Sequence, residues 1–455
     1  MPSHTVLTNA LTARARGAIQ VKDRNNNTLQ FAGDQTTLYR LNSTTWADVS
    51  RTTGGAYASG TEERWRFVQF KNQLVATNFS DNLQQITLGQ ANFAELTNAL
   101  RARHIAVVGD FLVAANTFDA VDSAVPDRIR TSAFNNITDW IPSITTGSIA
   151  RDLSGGPILG LLGGDFGLIA GQNDMWRMDF VGAPTWFRIE PTLPGIGLIG
   201  EDAWAQIGED VYAWTNQGFV RIRNGTSYES IGDGRVDVTA RRDLDDTNLH
   251  RIYAAADPDG GRIFWAYPGT GNTGGLPNCI IVYDKNFNKW AHVEQETEMI
   301  WSASGVGFTL EQLNSITTNL EQLPVSLDSS QWKGGGDRIL AAFDSQHRHG
   351  FFNGESMTAV IETAERQLIP GAEALLGKAR PLVDGGSFTV QMGTRNTQSE
   401  SVTWGNSLSP LAEGHITPRS KARYHRFRLR LTGNWQDVIG VQVDRGNALP
   451  ASRRG

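Results

Sequence analysis

Apolar and polar positions along this chain follow a short rhythm: an apolar run, a tight polar turn, a second apolar run and often a late tryptophan. The first clear copy runs Thr36-Thr37-Leu38-Tyr39-Arg40-Leu41, turns through Asn42-Ser43-Thr44-Thr45 and returns at Trp46-Ala47-Asp48-Val49. It recurs at Phe134 to Trp140, Gly218 to Gly225 and Ile280 to Trp290. Recurrence at intervals of tens of residues marks one supersecondary unit used many times. Grouping the runs between turn signals gives units near residues 28–51, 64–97, 102–142, 157–190, 198–231, 250–295 and 298–354. Runs such as Ile105 to Val108 and Phe111 to Ala114, separated by Gly109-Asp110, suit strands covered on both faces. The same logic pairs Trp65 to Phe70 with Leu74 to Asn78, Ala203 to Ile207 with Val211 to Trp214, and Ile252 to Ala255 with Arg262 to Ala266. These features predict an all-β fold: a β-propeller of six or seven blades over residues 1–355, followed by a smaller C-terminal β domain over 356–455.

Two segments break the rhythm. Residues 238–250, with Arg241, Arg242, Asp243, Asp245 and Asp246, read as a short polar helix or loop between blades. Residues 309–335 have little strand character and are expected to wrap the surface. In the C-terminal domain Val383-Asp384-Gly385-Gly386 reads as a turn into Ser387 to Met392, and Ala448 to Gly455 as a mobile tail.

Composition narrows the classes of function. At 455 residues the chain is too long for one ordinary core, and 48 glycines fit many turns. Forty-one Lys and Arg against 47 Asp and Glu give a formal charge of -6, which argues against a protein that grips nucleic acid over its whole surface. The start, Met1-Pro2-Ser3-His4, lacks a signal-peptide layout and no run reaches the ~18 apolar residues of a membrane helix, so a soluble protein without membrane insertion is expected. The single Cys279 adjoins the apolar run Ile280 to Val282 and reads as a buried, inert thiol.

Candidate chemistry is sparse. From Tyr424 to Leu431 polar and apolar residues alternate, placing Tyr424, Arg426, Arg428 and Arg430 on one face and His425, Phe427, Leu429 and Leu431 on the other. That basic face is either a cationic surface for a neighbouring subunit or DNA phosphate, or a solvated face paired with carboxylates. His347-Arg348-His349 has no further ligands at a recognised spacing and reads as a solvated turn; no metal site is expected. Asp243, Asp245 and Asp246 lack the glycine and distal glutamate of a calcium loop. Gly-x-Ser-x-Gly is absent, and Gly160 to Gly164 lacks the Lys-Ser/Thr of a phosphate loop. Gly195-Ile196-Gly197-Leu198-Ile199-Gly200 matches dinucleotide-fingerprint spacing but opens a β unit, so it reads as a tight turn. No catalytic residue and no cofactor is expected, and the 13 tryptophans read as blade packing.

Several short signatures together resemble one family. They are Leu38-Tyr39-Arg40-Leu41 with Trp46 to Ser50, Trp65-Arg66-Phe67, Ala76-Thr77-Asn78 and Ser132 to Trp140. They continue through Gly195-Ile196-Gly197, Val211 to Trp214 and Gly393-Thr394-Arg395 to Arg423-Tyr424-His425-Arg426. In this the chain resembles the tail hub or nozzle proteins of short-tailed bacteriophages, also described as packaged-DNA stabilisation proteins. The resemblance implies a virion tail protein, assembled in the host cytoplasm as a ring, hexameric by resemblance. It would sit below the portal and adaptor, contact other tail proteins, and retain packaged DNA until ejection. It implies no catalysis and supplies no catalytic set. The rivals are a glycan- or receptor-binding propeller of a tail fibre, and a propeller glycosidase.

Overall fold

The computed structural model describes residues 1–96, 100–305, 317, 319–323, 327, 338–443 and 448–450. These residues form seven four-stranded sheets, six with their strands in chain order and one that borrows a strand from residues 2–10, plus a five-stranded and a three-stranded sheet near the C-terminus. The first strands of the seven sheets are Gly17–Lys22, Arg66–Phe70, Arg101–Val108, Ile158–Leu162, Trp204–Ile207, Tyr253–Asp257 and Met299–Ala303. They line up as successive neighbours, the fourth and fifth meeting where Trp204 packs with Leu159 and Leu162, and the last touches the first. The fold is a seven-bladed β-propeller, with blades 1 to 7 in the order given and the first strand of each innermost.

Local turn chemistry makes the blades. Phe70 pairs with Gln73, Val108 with Phe111 and Ile207 with Asp210, leaving two-residue loops. The first loop residue is left-handed each time: Lys71 at φ 55°, Gly109 at 57° and Gly208 at 63°. This is the loop geometry whose twist matches that of the flanking strands. Between neighbouring blades the apolar runs form the core. Trp214 and Phe219 of blade 5 pack with Trp265, Tyr267 and Tyr283 of blade 6, and similar clusters join blades 1 to 2, 2 to 3, 3 to 4 and 4 to 5. Trp265 is fully buried yet satisfied, its Nε1 donating to Ala203 O at 3.1 Å.

Blade 7 closes the ring by combining the first and last strands of the propeller. Its inner strands are Met299–Ala303, Ile339–Phe343 and Arg348–Ser356, and its outer strand is Pro2–Ala10, which alternation alone does not announce. Thr8 Oγ1 accepts from His349 N and from Trp46 Nε1, both at 3.1 Å, so this strand ties blade 7 to blade 1.

Several expectations need correction. Phe134 to Trp140 is a series of turns with one isolated bridge, Ala133 to Asn136, instead of a strand pair, because Asn135 takes φ 57° and breaks the run. His347 to His349 is no solvated turn. His347 sits at φ 66° with Nδ1 2.5 Å from Glu298 Oε1, and the strand that begins at Arg348 carries His349 into the core among Trp46, Trp301, Phe343 and Phe351. Burial, then the neighbouring His4, pushes the His349 imidazole down to about 3. Val383 to Gly386 is a bulge inside one long strand, Ala379–Arg395, since Gly385 at φ 70° and Gly386 at φ 64° shift the register without reversing the chain. Residues 448–450 of the expected tail form a strand paired with Ala374–Leu376, while 451–455 and most of 309–335 lie outside the described residues. The polar insert is the helix Asp237–Asp243 followed by a 3-10 turn Asp246–Arg251. The Gly195 to Gly200 segment is a turn after the strand Trp186–Leu193, with no helix following it.

Compact units divide at residues 4–352 and at 1–3 with 353–455. In the second unit Tyr424–Val443 pairs with Ala379–Arg395 on one side and with Ala359–Glu362 and Arg366–Gln367 on the other, and Thr403–Trp404 extends the sheet. His425, Phe427, Leu429 and Leu431 are buried, Phe427 and Leu429 against Val390 and its neighbours, so the apolar side of the alternation faces a core. Among the described residues no helix is long and apolar enough to cross a membrane.

Candidate functional site

The alternation places Tyr424, Arg426, Arg428 and Arg430 together on the wet face of this sheet. Register then adds residues the sequence does not connect to them. Glu362 lies opposite Arg428 and ion-pairs with both Arg428, at 2.6 Å, and Arg426. Trp404 stacks under both guanidiniums, 3.9 Å from Arg428 and 5.0 Å from Arg426. Arg430 is exposed beside Val360 and makes no ion pair among the described residues. The face is thus three cations against one carboxylate, with an indole underneath: an arrangement that can take a phosphate or carboxylate from outside. Glu362→Gln is expected to change unfolding free energy by no more than about 1 kcal/mol, because the pairs are partly solvated. A loss of several kcal/mol in urea titration would mean that the pairs hold the domain together instead.

A second polar cluster lies on the propeller axis. Arg66, on the first strand of blade 2, donates through Nη2 to Glu201 Oε2 at 2.7 Å and to Asp202 Oδ2 at 3.0 Å. Arg64 reaches the same Asp202 at 3.0 Å and donates twice to Ile252 O. Glu201 and Asp202 introduce blade 5 and Ile252 introduces blade 6, so these bonds span three or more blades of a seven-blade ring and must cross its centre. Arg103 of blade 3 adds a pair to Glu63 at 2.9 Å. Burial opposes the charge on Glu201 and Asp202, but Arg66 outweighs it and holds both carboxyls down to about 2. Buried beside them, His104 is pushed down to about 3 by desolvation and then by Arg66. Charged spokes therefore bridge the axis.

A third feature is apolar. The connection between the third and fourth strands of blade 3 brings Phe134 and Ile144 beside Phe180 and Trp186 of blade 4. Ring centroids are 6.1 Å apart for Phe134 and Trp186 and 6.2 Å for Phe180 and Trp186, and Trp186 Nε1 donates to Ile144 O at 2.6 Å. Phe134 is 45 %, Phe180 47 % and Ile144 73 % exposed. Trp186 holds φ 60°, costly for a bulky side chain, so the surrounding packing fixes a strained backbone under an exposed apolar patch.

The fourth feature is an open cleft of about 810 Å³ in blade 6, lined by Asp243, Tyr267, Cys279, His292 and Glu294 among others. Tyr267 Oη donates to Asp243 Oδ2 at 2.8 Å and lies 3.4 Å from His292 Nε2. Burial would raise the Asp243 carboxyl, but hydrogen bonds from Tyr267 and Thr270 hold it below its ordinary range. Cys279 is buried, as expected, and burial, then the charge of Asp243, pushes its thiol up to about 12.

No family model matches the chain, and no curated protein matches it. Among solved structures it is similar to the extracellular domain of the hybrid two-component system BT4673 of B. thetaiotaomicron, at 10% identity and a TM-score of 0.43, over 92% of this chain and 47% of that one. It is also similar to BamB of Moraxella catarrhalis, at 11% identity and a TM-score of 0.30, over 48% of this chain and 60% of that one. The chain spans about half the length of the first. Assignment to the propeller class rests on the seven sheets themselves.

Proposed function

We propose that this chain is a structural component of a short-tailed phage tail, a propeller that joins copies of itself in a ring, holds packaged DNA and lets it pass at ejection. The observation that carries the reading is the exposed patch of Phe134, Ile144 and Phe180 around the half-buried Trp186, because a protein that works alone rarely leaves a contiguous apolar surface open. A second copy of the chain is the partner this reading assigns to it. The role requires no catalysis. Since charged spokes bridge each propeller axis, the DNA path in this reading lies between subunits and not through a propeller. The Arg426, Arg428 and Arg430 face then meets a neighbouring tail protein or passing phosphate. A glycan-binding propeller would need aromatic rings lining a concave pocket. The blade 6 cleft offers only Tyr267 and His292.

Negative-stain imaging with mass measurement tests the assembly: rings with a central pore are expected for the intact chain, and single particles for Phe134→Ser with Phe180→Ser. A monomer at every concentration, binding saccharide, would replace this reading with the tail-fibre one. Changing Arg426, Arg428 and Arg430 together to Ser is expected to leave the fold intact and impair particle assembly or DNA retention. Particles that assemble and keep their DNA as before would remove that face from the function.

A further inference from the structure

Three metal-ligating side chains that are scattered in the sequence converge in the blade 6 cleft. Tyr267 ends the second strand of that blade, Arg262–Tyr267, and pairs in register with Cys279, which opens the third strand, Cys279–Asp284. His292 lies on the fourth strand opposite Ile281, two residues along from Cys279 and on the same side of the pleat. Asp243 closes the helix Asp237–Asp243 and is aimed inward by Tyr267 Oη and by Thr270 N, the latter at 3.1 Å. The ligand atoms of Asp243, Cys279 and His292 all lie within 4.8 Å of one another.

An independent feature marks the same point. A Cβ at Gly269 would lie 2.6 Å from Asp243 Oδ2 and 2.8 Å from Cys279 Sγ, so a side chain at 269 would fill the space between carboxylate and thiol. The backbone is kept bare where the two ligands meet, and the cleft opens beside them.

We propose that Asp243, Cys279 and His292 form a binding site for a zinc-class transition-metal dication, with a fourth position turned toward the cleft. Sulfur, imidazole and carboxylate together select a borderline-soft ion, whereas calcium and magnesium take oxygen ligands alone. Bonds of about 2.0 to 2.3 Å place tetrahedral ligands roughly 3.3 to 3.8 Å apart, so binding would draw the three ligand atoms together from within 4.8 Å, and His292 is the exposed member of the set. Tyr267 acts as a positioning residue through its bond to the carboxylate. On binding, a metal–sulfur bond forms and the thiol proton leaves to solvent. This inference stands apart from the tail reading, and its failure would leave that reading untouched.

Cobalt(II) is the probe. Titrated into the reduced, tag-free full chain, it is expected to give a near-ultraviolet thiolate-to-cobalt charge-transfer band that saturates at one ion per chain and is displaced by zinc. Cys279→Ser should abolish the band and His292→Ala should weaken cobalt affinity by about tenfold or more. Absence of the band in the unaltered chain overturns the site, a measurement that does not depend on whether any variant folds. Unchanged affinity in His292→Ala, with a native circular dichroism spectrum, overturns it equally.

Discussion

Deleting residues 2–10 lowers the melting temperature of the propeller by roughly 10 °C or more and drives the protein toward aggregation, if the outer strand of blade 7 closes the ring as its bonds indicate. The deletion bares the edge of Arg348–Ser356. It also strands Trp46, whose Nε1 donates to Thr8 and whose backbone N donates to Asn9 Oδ1 at 3.0 Å. The buried His349 loses the Thr8 acceptor for its N–H. Each orphaned group costs on the order of 1 to 3 kcal/mol, and the blade 7 to blade 1 seam loses several together. Differential scanning calorimetry of the truncated and intact chains decides the matter. Equal melting temperatures with full solubility would mean that the ring does not depend on this strand.

Arg66→Met is the second large effect, expected to cost about 3 kcal/mol in urea unfolding, because it leaves Glu201 and Asp202 facing one another with only Arg64 and Arg103 near. Asp202 keeps 34 % of its side chain exposed, which limits the cost. Adding Glu201→Gln and Asp202→Asn should restore most of the loss, since the penalty lies in the uncompensated charge more than in the missing bond. The pH dependence follows from the same groups. Both carboxyls sit near 2 in the folded protein, below their ordinary range, so their contribution is complete above about pH 4.5 and disappears as pH falls toward 2. His104 and His349, held neutral near 3, weaken the fold over a higher window: below about pH 6.5 the unfolded chain takes up protons that the folded one refuses. Stability should therefore fall in two overlapping stages on acidification. Arg66→Met should flatten the lower stage and leave the His349 share of the upper one. An unchanged lower stage in the variant would show that the spokes carry no folding energy.

A propeller of six or seven repeating units was legible in the chain because a blade is built from neighbouring hairpins, and the signals that make a hairpin are local: an apolar run, a left-handed loop residue, a return. What escaped reading depends on distance. The Thr8 to His349 bond joins residues 341 positions apart, and nothing near residue 8 announces its partner. Alternation placed Arg426, Arg428 and Arg430 on one face, but Glu362 lies 66 positions from Arg428 and only strand register brings them together. His349 looked solvated because His347 and Arg348 flank a polar turn, yet a left-handed residue at 347 sets the following strand so that 349 points inward. Asp243, Cys279 and His292 have no motif spacing because one comes from a helix and two from different strands, and the blade supplies the convergence that the sequence lacks.

The seam of blade 7 also sets an order of events during synthesis. The strand that seals the circle leaves the ribosome ahead of every other strand of the propeller, and its neighbour follows some 340 residues later. Until then six nascent sheets must wait as an open arc with one hydrophobic flank bare at each end. Ribosome-bound intermediates of this chain should accordingly recruit chaperones until Phe351 has emerged, and release them together once the two ends meet.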